Sequence, residues 1–391
     1  WIYAGGPEGA SAVLGAIAGS MITIAGVVFS LTLVALSLAS SQFGSRLLRN
    51  FMRDTINQVV LGAFAATFLY CLLVLRTIRR GDGSEFVPHI SVTLGILAAV
   101  ASIGVLIYFI HHVSVSIQAD ELITRVNADL TDAIKRLFPE KIGQSSKDGT
   151  SDKDKVSLPE FFDLEAAQVM ADGDGYLQAI DAEGLMELAV EEDLLVRLEL
   201  RPGHYVVAKT PLASVWPGKK LNDDLASKIN KAIIRGTQRT PVQDVEYAVN
   251  QLVEIAVRAL SPGVNDSFTA IACVDRLSSG LSRLAQRDIP SPYRRDEKGN
   301  LRVIALPFTF AAVTDAAFNQ IRQDARTNAA VTIRLLEAIA TIASQAARLD
   351  DRAALRRHAE MILRGSREGL PEEEDRKAVQ ERFDEVMENL K

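Results

Sequence analysis

The sequence is poor in cysteine and aromatic residues and, over its first third, in charge. Two cysteines, Cys71 and Cys273, among 391 residues exclude a disulfide framework and fit a reducing compartment for the soluble part. No lysine occurs before Lys135, and residues 1–112 hold only six basic and four acidic side chains. That part nets +2, so the rest of the chain carries −8 of the total of −6. A bilayer imposes such segregation, because a charge at the centre of a spanning helix costs about 2.5–3.5 kcal/mol. The acidic remainder excludes nucleic acid as a partner, since phosphates demand a basic surface. P-loop, Gly-x-Gly-x-x-Gly, His-Glu-x-x-His, Gly-x-Ser-x-Gly and Cys-x-x-Cys patterns are missing, and His89, His204 and His358 stand isolated. We therefore expect no catalytic residues, no metal and no cofactor.

What is present is a set of long apolar runs. Roughly 20 apolar residues cross a bilayer. The charge-free stretch between Glu8 and Arg46 predicts a helix over residues 12–41, followed by others over 56–75 and 86–110. A chain that starts at Trp1 leads us to expect a further spanning helix ahead of it. Loops 46–54 and 76–85 hold three arginines each, whereas residues 1–8 hold none. The tie between the loops leaves the leading segment to decide, and it reads as outside. The soluble part is then cytoplasmic, beneath a bacterial inner membrane.

In the first helix Gly19, Thr23, Gly26, Ser30, Ser37, Ser41 and Gly44 recur at spacings of three, four and seven. At about 100° per residue they share one face. Two readings fit: small residues let helices approach closely, or hydroxyls line a water-filled pore. Residues 43–54 then set Phe43, Leu47, Leu48, Phe51 and Met52 opposite Arg46, Arg49 and Arg53. This predicts a short interfacial helix with its arginines toward headgroups; the alternative is an arginine ring at a pore mouth.

The third span is expected to run on unbroken as a helical stalk over residues 113–142, because Leu122, Val126, Leu130 and Ile134 keep helical spacing. A polar linker, 143–157, opens a small strand-rich module that extends to residue 221. Asp172-Gly-Asp-Gly175 and Arg201-Pro-Gly-His204 each read as a hairpin turn, with a helix over 182–193 between the two hairpins. The Asp172/Asp174 pair resembles half a calcium loop but lacks its terminal glutamate, so calcium is rejected. From residue 222 the chain is chiefly helical. Thr240-Pro241-Val242-Gln243 reads as a helix start, Ser261-Pro262-Gly263 as its end, and Asn265/Asp266 as the next cap. A strand over 302–307 and helices over 311–325, 329–349, 352–364 and 372–390 complete the reading. The fold class is thus an α-helical integral membrane bundle with a soluble α+β, mostly helical C-terminal domain.

The run GTQRTP from Gly236, then Asp244, then ALSPGVND ending at Asp266, together with SLASSQFGSR (37–46) and YFIHHVSVSIQAD (108–120), resembles a family of bacterial predicted membrane proteins classed as a domain of unknown function. The resemblance covers nearly the whole chain. It implies four spanning helices, a cytoplasmic C-terminal domain and no particular activity. Arg239, Asp244, Arg258, Ser261, Asn265 and Asp266 form a candidate ligand or subunit contact, although helix capping and structural ion pairs call for the same residue types. Asp244 and Arg258 are fourteen residues apart, about 21 Å along a continuous helix, too far to pair. Beyond the lipid bilayer, the expected partners are further copies of the chain. The leading expectation is a homo-oligomeric channel or pore for ions, assembled by its cytoplasmic domain. The alternative is a membrane-anchored scaffold or a sensor of a small ligand.

Overall fold

A computed structural model describes residues 3–43, 55–79, 85–116, 118–138 and 162–391. The chain divides into two compact units, residues 1–122 and 123–391. The first is built on α1 (Pro7–Phe43), α2 (Thr55–Thr77) and α3 (His89–Ser116). All three are long and apolar enough to cross a membrane. The interfacial arginines Arg46, Arg49 and Arg53, with Gly44, lie outside the described residues.

Lipid is as apolar as leucine, so close packing rather than water exclusion joins such helices. Ala10, Leu14 and Ala18 of α1 meet Cys71, Val74 and Val92; Met21 and Val28 meet Val60, Phe64 and Phe109. Hydroxyls fold back onto their own helices: Thr23 donates to the Gly19 carbonyl and Thr32 to that of Val28, both at 2.8 Å. That satisfies donors for which hydrocarbon offers no partner. Ile22, Phe29, Leu73, Leu97 and Ile107 stay exposed, as side chains that face lipid should.

The stalk is not one helix. α3 ends at Ser116 and α4 (Ala119–Leu137) begins after a break. The apolar spacing on either side is helical, but spacing does not register whether the backbone ladder runs through. In the second unit Ile123, Val126, Leu130 and Ile134 of α4 are all buried. Leu130 and Ile134 lie against Gly280 of α9 (Ser267–Ala285). A Cβ at Gly280 would come within 2.6 Å of Leu130 Cδ2, so only glycine admits this approach.

The strands are β1 (Ala167–Met170), β2 (Gly175–Ile180), β3 (Leu195–Leu198), β4 (Tyr205–Val206), β5 (Pro211–Trp216), β6 (Ile233–Gly236), β7 (Tyr293–Arg295) and β8 (Leu301–Ile304). They form a five-stranded sheet ordered β1-β5-β3-β8-β7 and a three-stranded sheet ordered β4-β2-β6. β3 runs parallel to β8 and antiparallel to β5. α6 (Ala182–Glu191) and α7 (Asp223–Ala232) share one core with the strands, including Leu185, Val196, Val215 and Ile229. α5 (Phe162–Glu165) precedes β1.

Neither expected hairpin forms. β1 pairs with β5, whereas β2 pairs with β4 and β6; β3 pairs with β5 and β8. Turn chemistry specifies a bend and leaves the pairing of the flanking strands open. The aspartates at the first turn tie down the crossover: Asp172 pairs with Arg235, and Asp174 Oδ1 accepts from the Ala208 amide at 2.6 Å.

The helical part comprises α8 (Val245–Ala259), α9, α10 (Phe310–Asp324), α11 (Ala329–Ala343), α12 (Leu349–Gly369) and α13 (Glu373–Asn389). α8 starts later than expected, with Asp244 rather than Thr240 at its N-cap. Tertiary partners take the capping groups. Gln243 Oε1 accepts from the Ile180 amide and its Nε2 donates to the Ile180 carbonyl, both at 3.0 Å, imitating a neighbouring strand.

Candidate functional site

Within the second unit lies a cavity of about 860 Å³. Ile180 at the end of β2, Leu185 and Met186 of α6, Leu198 and Leu200 at the end of β3, and Val303 of β8 line it. Arg136 and Phe138 at the end of α4, Val242 and Gln243, Pro290 and Pro292, and Leu306 to Phe308 continue the wall, and the charged side chains of Glu183, Glu187, Arg201 and Arg294 also border it. Both sheets and the end of α4 therefore position it. Its volume falls in the range of roughly 300–1,000 Å³ typical of small-molecule sites.

One wall adjoins a network of buried charges. The segment Arg201-Pro-Gly-His204 is tied to β2 by the Gly203 amide, which donates to the Leu177 carbonyl at 2.8 Å, and by the Leu177 amide, which donates to the His204 carbonyl at 2.9 Å. Gly203 has φ +96°, and a Cβ there would meet Asp244 Oδ2 at 2.6 Å. Glycine alone permits both the backbone and the approach. Arg201 Nη2 donates to Glu246 Oε1 at 2.7 Å, and the Phe308 ring lies over its guanidinium at 4.2 Å. Arg239 forms a two-pronged pair with Asp244, its Nη2 at 3.0 Å from Oδ1, and reaches Glu246 at 3.4 Å.

Asp244 is 1% exposed, and burial pushes its carboxyl above the usual carboxylate range against the opposing pull of Arg239. Burial, reinforced by Arg201, holds the His204 imidazole below its usual value. Two arginines face two carboxylates, so the network is close to neutral. Arg201 Nη1 is nevertheless buried with no hydrogen-bond partner among the described residues.

The structure thus joins Arg239 to Asp244 and separates both from the other sequence-derived candidates. Ser261 Oγ donates to the Arg258 carbonyl at 2.6 Å, and Asp266 caps α9 by accepting from the Thr269 amide at 3.1 Å. Asn265 adopts φ +50° in the turn between α8 and α9. These belong to the far end of α8. Arg201, Glu246 and Phe308 enter the site instead; the Arg201 segment read only as a turn, and nothing local in the sequence ties Phe308 to it. The cavity lining contains no histidine, cysteine or aspartate, and no three His, Cys, Asp or Glu side chains gather as a metal site among the described residues.

In the membrane unit the small-residue face is exposed within the chain. Gly19, Thr23, Gly26, Ser30 and Ser37 are all exposed, and Ser41 lies in the last turn of α1. Ala10, Leu14, Ala18, Met21 and Val28 form the packing face, about 160° round the helix at 3.6 residues per turn. A Cβ at Gly19 or Gly26 would meet nothing within 4 Å.

The family described as Predicted membrane protein (DUF2254) matches residues 1–341. An uncharacterised protein of Mycobacterium tuberculosis (strain ATCC 25618 / H37Rv) is 35% identical over 385 residues, which cover 97% of this chain and 72% of the relative. An uncharacterised protein of Mycobacterium bovis matches with the same identity and coverage. No solved structure matches.

Proposed function

Since the chain belongs to the DUF2254 family of predicted membrane proteins, we propose that it is a membrane-embedded receptor whose soluble domain binds a small, largely apolar molecule without transforming it. The observation that carries this reading is the cavity of about 860 Å³, walled by aliphatic side chains and flanked by a guanidinium that lacks one of its acceptors. We place the protein in a bacterial inner membrane with that domain on the cytoplasmic side. A ligand that binds only the folded state stabilises it by about 2.7 kcal/mol at a hundredfold excess over Kd. Thermal unfolding of the full chain in lipid nanodiscs, screened against alkyl, aryl and polycyclic compounds, should therefore reveal shifts on the order of 5 °C. Met186→Trp, which narrows the cavity, should diminish the ligand-dependent part of the shift. A collection that shifts nothing, or a shift undiminished in Met186→Trp, overturns the reading.

A second reading, an oligomeric pore, is favoured by one observation: the exposed face of Gly19, Thr23, Gly26, Ser30 and Ser37 on α1. Adjoining copies would bury such a face or set it around an axis.

A further inference from the structure

We propose that the ligand is an alkyl carboxylate, its chain in the apolar cavity and its head on Arg201; this rests on the receptor reading above. The wall supplies the first half of the argument. Leu185, Met186, Leu198, Leu200, Val303 and Leu306 present hydrocarbon to the space, which suits an unbranched chain.

The head follows from which polar groups remain unused. Gln243 is held at both ends by the Ile180 backbone. Arg201 is not: Glu246 takes Nη2, the Phe308 ring covers the guanidinium, and Nη1 is buried without an acceptor. A guanidinium only donates, so the complementary group must accept. A carboxylate takes a stronger, charge-assisted hydrogen bond from Nη1 than a neutral oxygen does, and a cation is repelled. The other charged residues of the lining, Arg136, Glu183, Glu187 and Arg294, are all exposed, whereas Arg201 is 15% exposed. Arg201 is paired with Glu246 and Arg239 with Asp244, so the network is close to neutral and what it offers a ligand is the one donor, Arg201 Nη1, that has no acceptor.

The test uses the full chain in lipid nanodiscs and three photoactivatable twelve-carbon probes that differ only in the head: carboxylate, hydroxyl or trimethylammonium. Labelled peptides are mapped by mass spectrometry. The carboxylate probe should label α6, β3 and β8, with competition by dodecanoate and none by dodecyltrimethylammonium. Arg201→Gln should cut that labelling about tenfold, the loss expected for a charge-assisted hydrogen bond, and leave labelling of α1 to α3 unchanged. Circular dichroism confirms that the variant is folded. Met186→Trp, which leaves the ion network intact and narrows the cavity, should reduce cavity labelling by every probe alike. Equal cavity labelling by all three heads, or labelling indifferent to Arg201→Gln, overturns the carboxylate and leaves the receptor. No cavity labelling by any probe overturns both.

Discussion

His358 shows how a single residue can be invisible as chemistry in the sequence and still matter to stability. It is fully buried on α12, its Nε2 lies 2.7 Å from Asp315 Oδ1, and Phe318 packs edge-on against the ring. Burial holds the imidazole below its usual value, more than Asp315 raises it. Burial lifts Asp315 too, but hydrogen bonds from Arg357 and His358 outweigh that and keep its carboxyl below the ordinary range. Both shifts have the same sign in their effect on folding: the unfolded chain binds protons that the folded chain refuses. The His358 contribution is complete above the unfolded value of about 6.5 and declines as pH falls from there through the lower folded value. Lowering the pH from 7.5 to 5.5 should reduce the unfolding temperature of the soluble domain by a few °C, on the order expected for about 1 kcal/mol. In His358→Gln most of that decline should vanish; an undiminished pH slope, read by circular dichroism, would show that other groups carry it.

At the scale of elements, α1 separates two jobs by angle. One face packs through Leu14, Ala18, Met21 and Val28, and another presents Gly19, Thr23, Gly26, Ser30 and Ser37 outward. Spacing alone marked the second face as special and left open what it meets; the fold rules out α2 and α3. Ser30→Leu/Ser37→Leu should therefore leave the unfolding temperature of the membrane unit within about 2 °C of the wild type, as surface substitutions do. The same variant should lose any association between copies or any discrete current in planar bilayers. A destabilised bundle would place the face inside the chain after all. Loss of current with the oligomer intact would favour the pore, and loss of the oligomer alone would favour simple packing.

At the scale of the molecule, topology decides from which side of the membrane a ligand would reach the second unit. The arginine tie between the two loops leaves topology resting on the uncharged leading segment. A cytoplasm-active reporter fused after Lys391 should be active, and one that requires export should be silent. The reverse pattern would put the cavity outside the cell, where the ligand would come from the surroundings. Either way the second unit has its own core, from Leu185 and Val196 in the sheets to Leu252 and Leu335 in the helices.

The sequence by itself determined the membrane architecture and most helices of the second unit. Three long uncharged runs admit no other solvent than lipid, and the helical spacing of residues such as Val249, Leu252 and Ile255 is a local signal. It also marked Asp266 as a cap, because capping links residues three positions apart. Only the tertiary structure decided which strands pair, where the stalk breaks, where α8 begins and which charges meet. Strand partners such as Val196 and Val303 are far apart in the chain, so a turn such as Asp172-Gly-Asp-Gly175 cannot specify them. For the same reason no local pattern joins Arg201 to Phe308 and Glu246: the cavity exists only where α4, α6 and the two sheets converge.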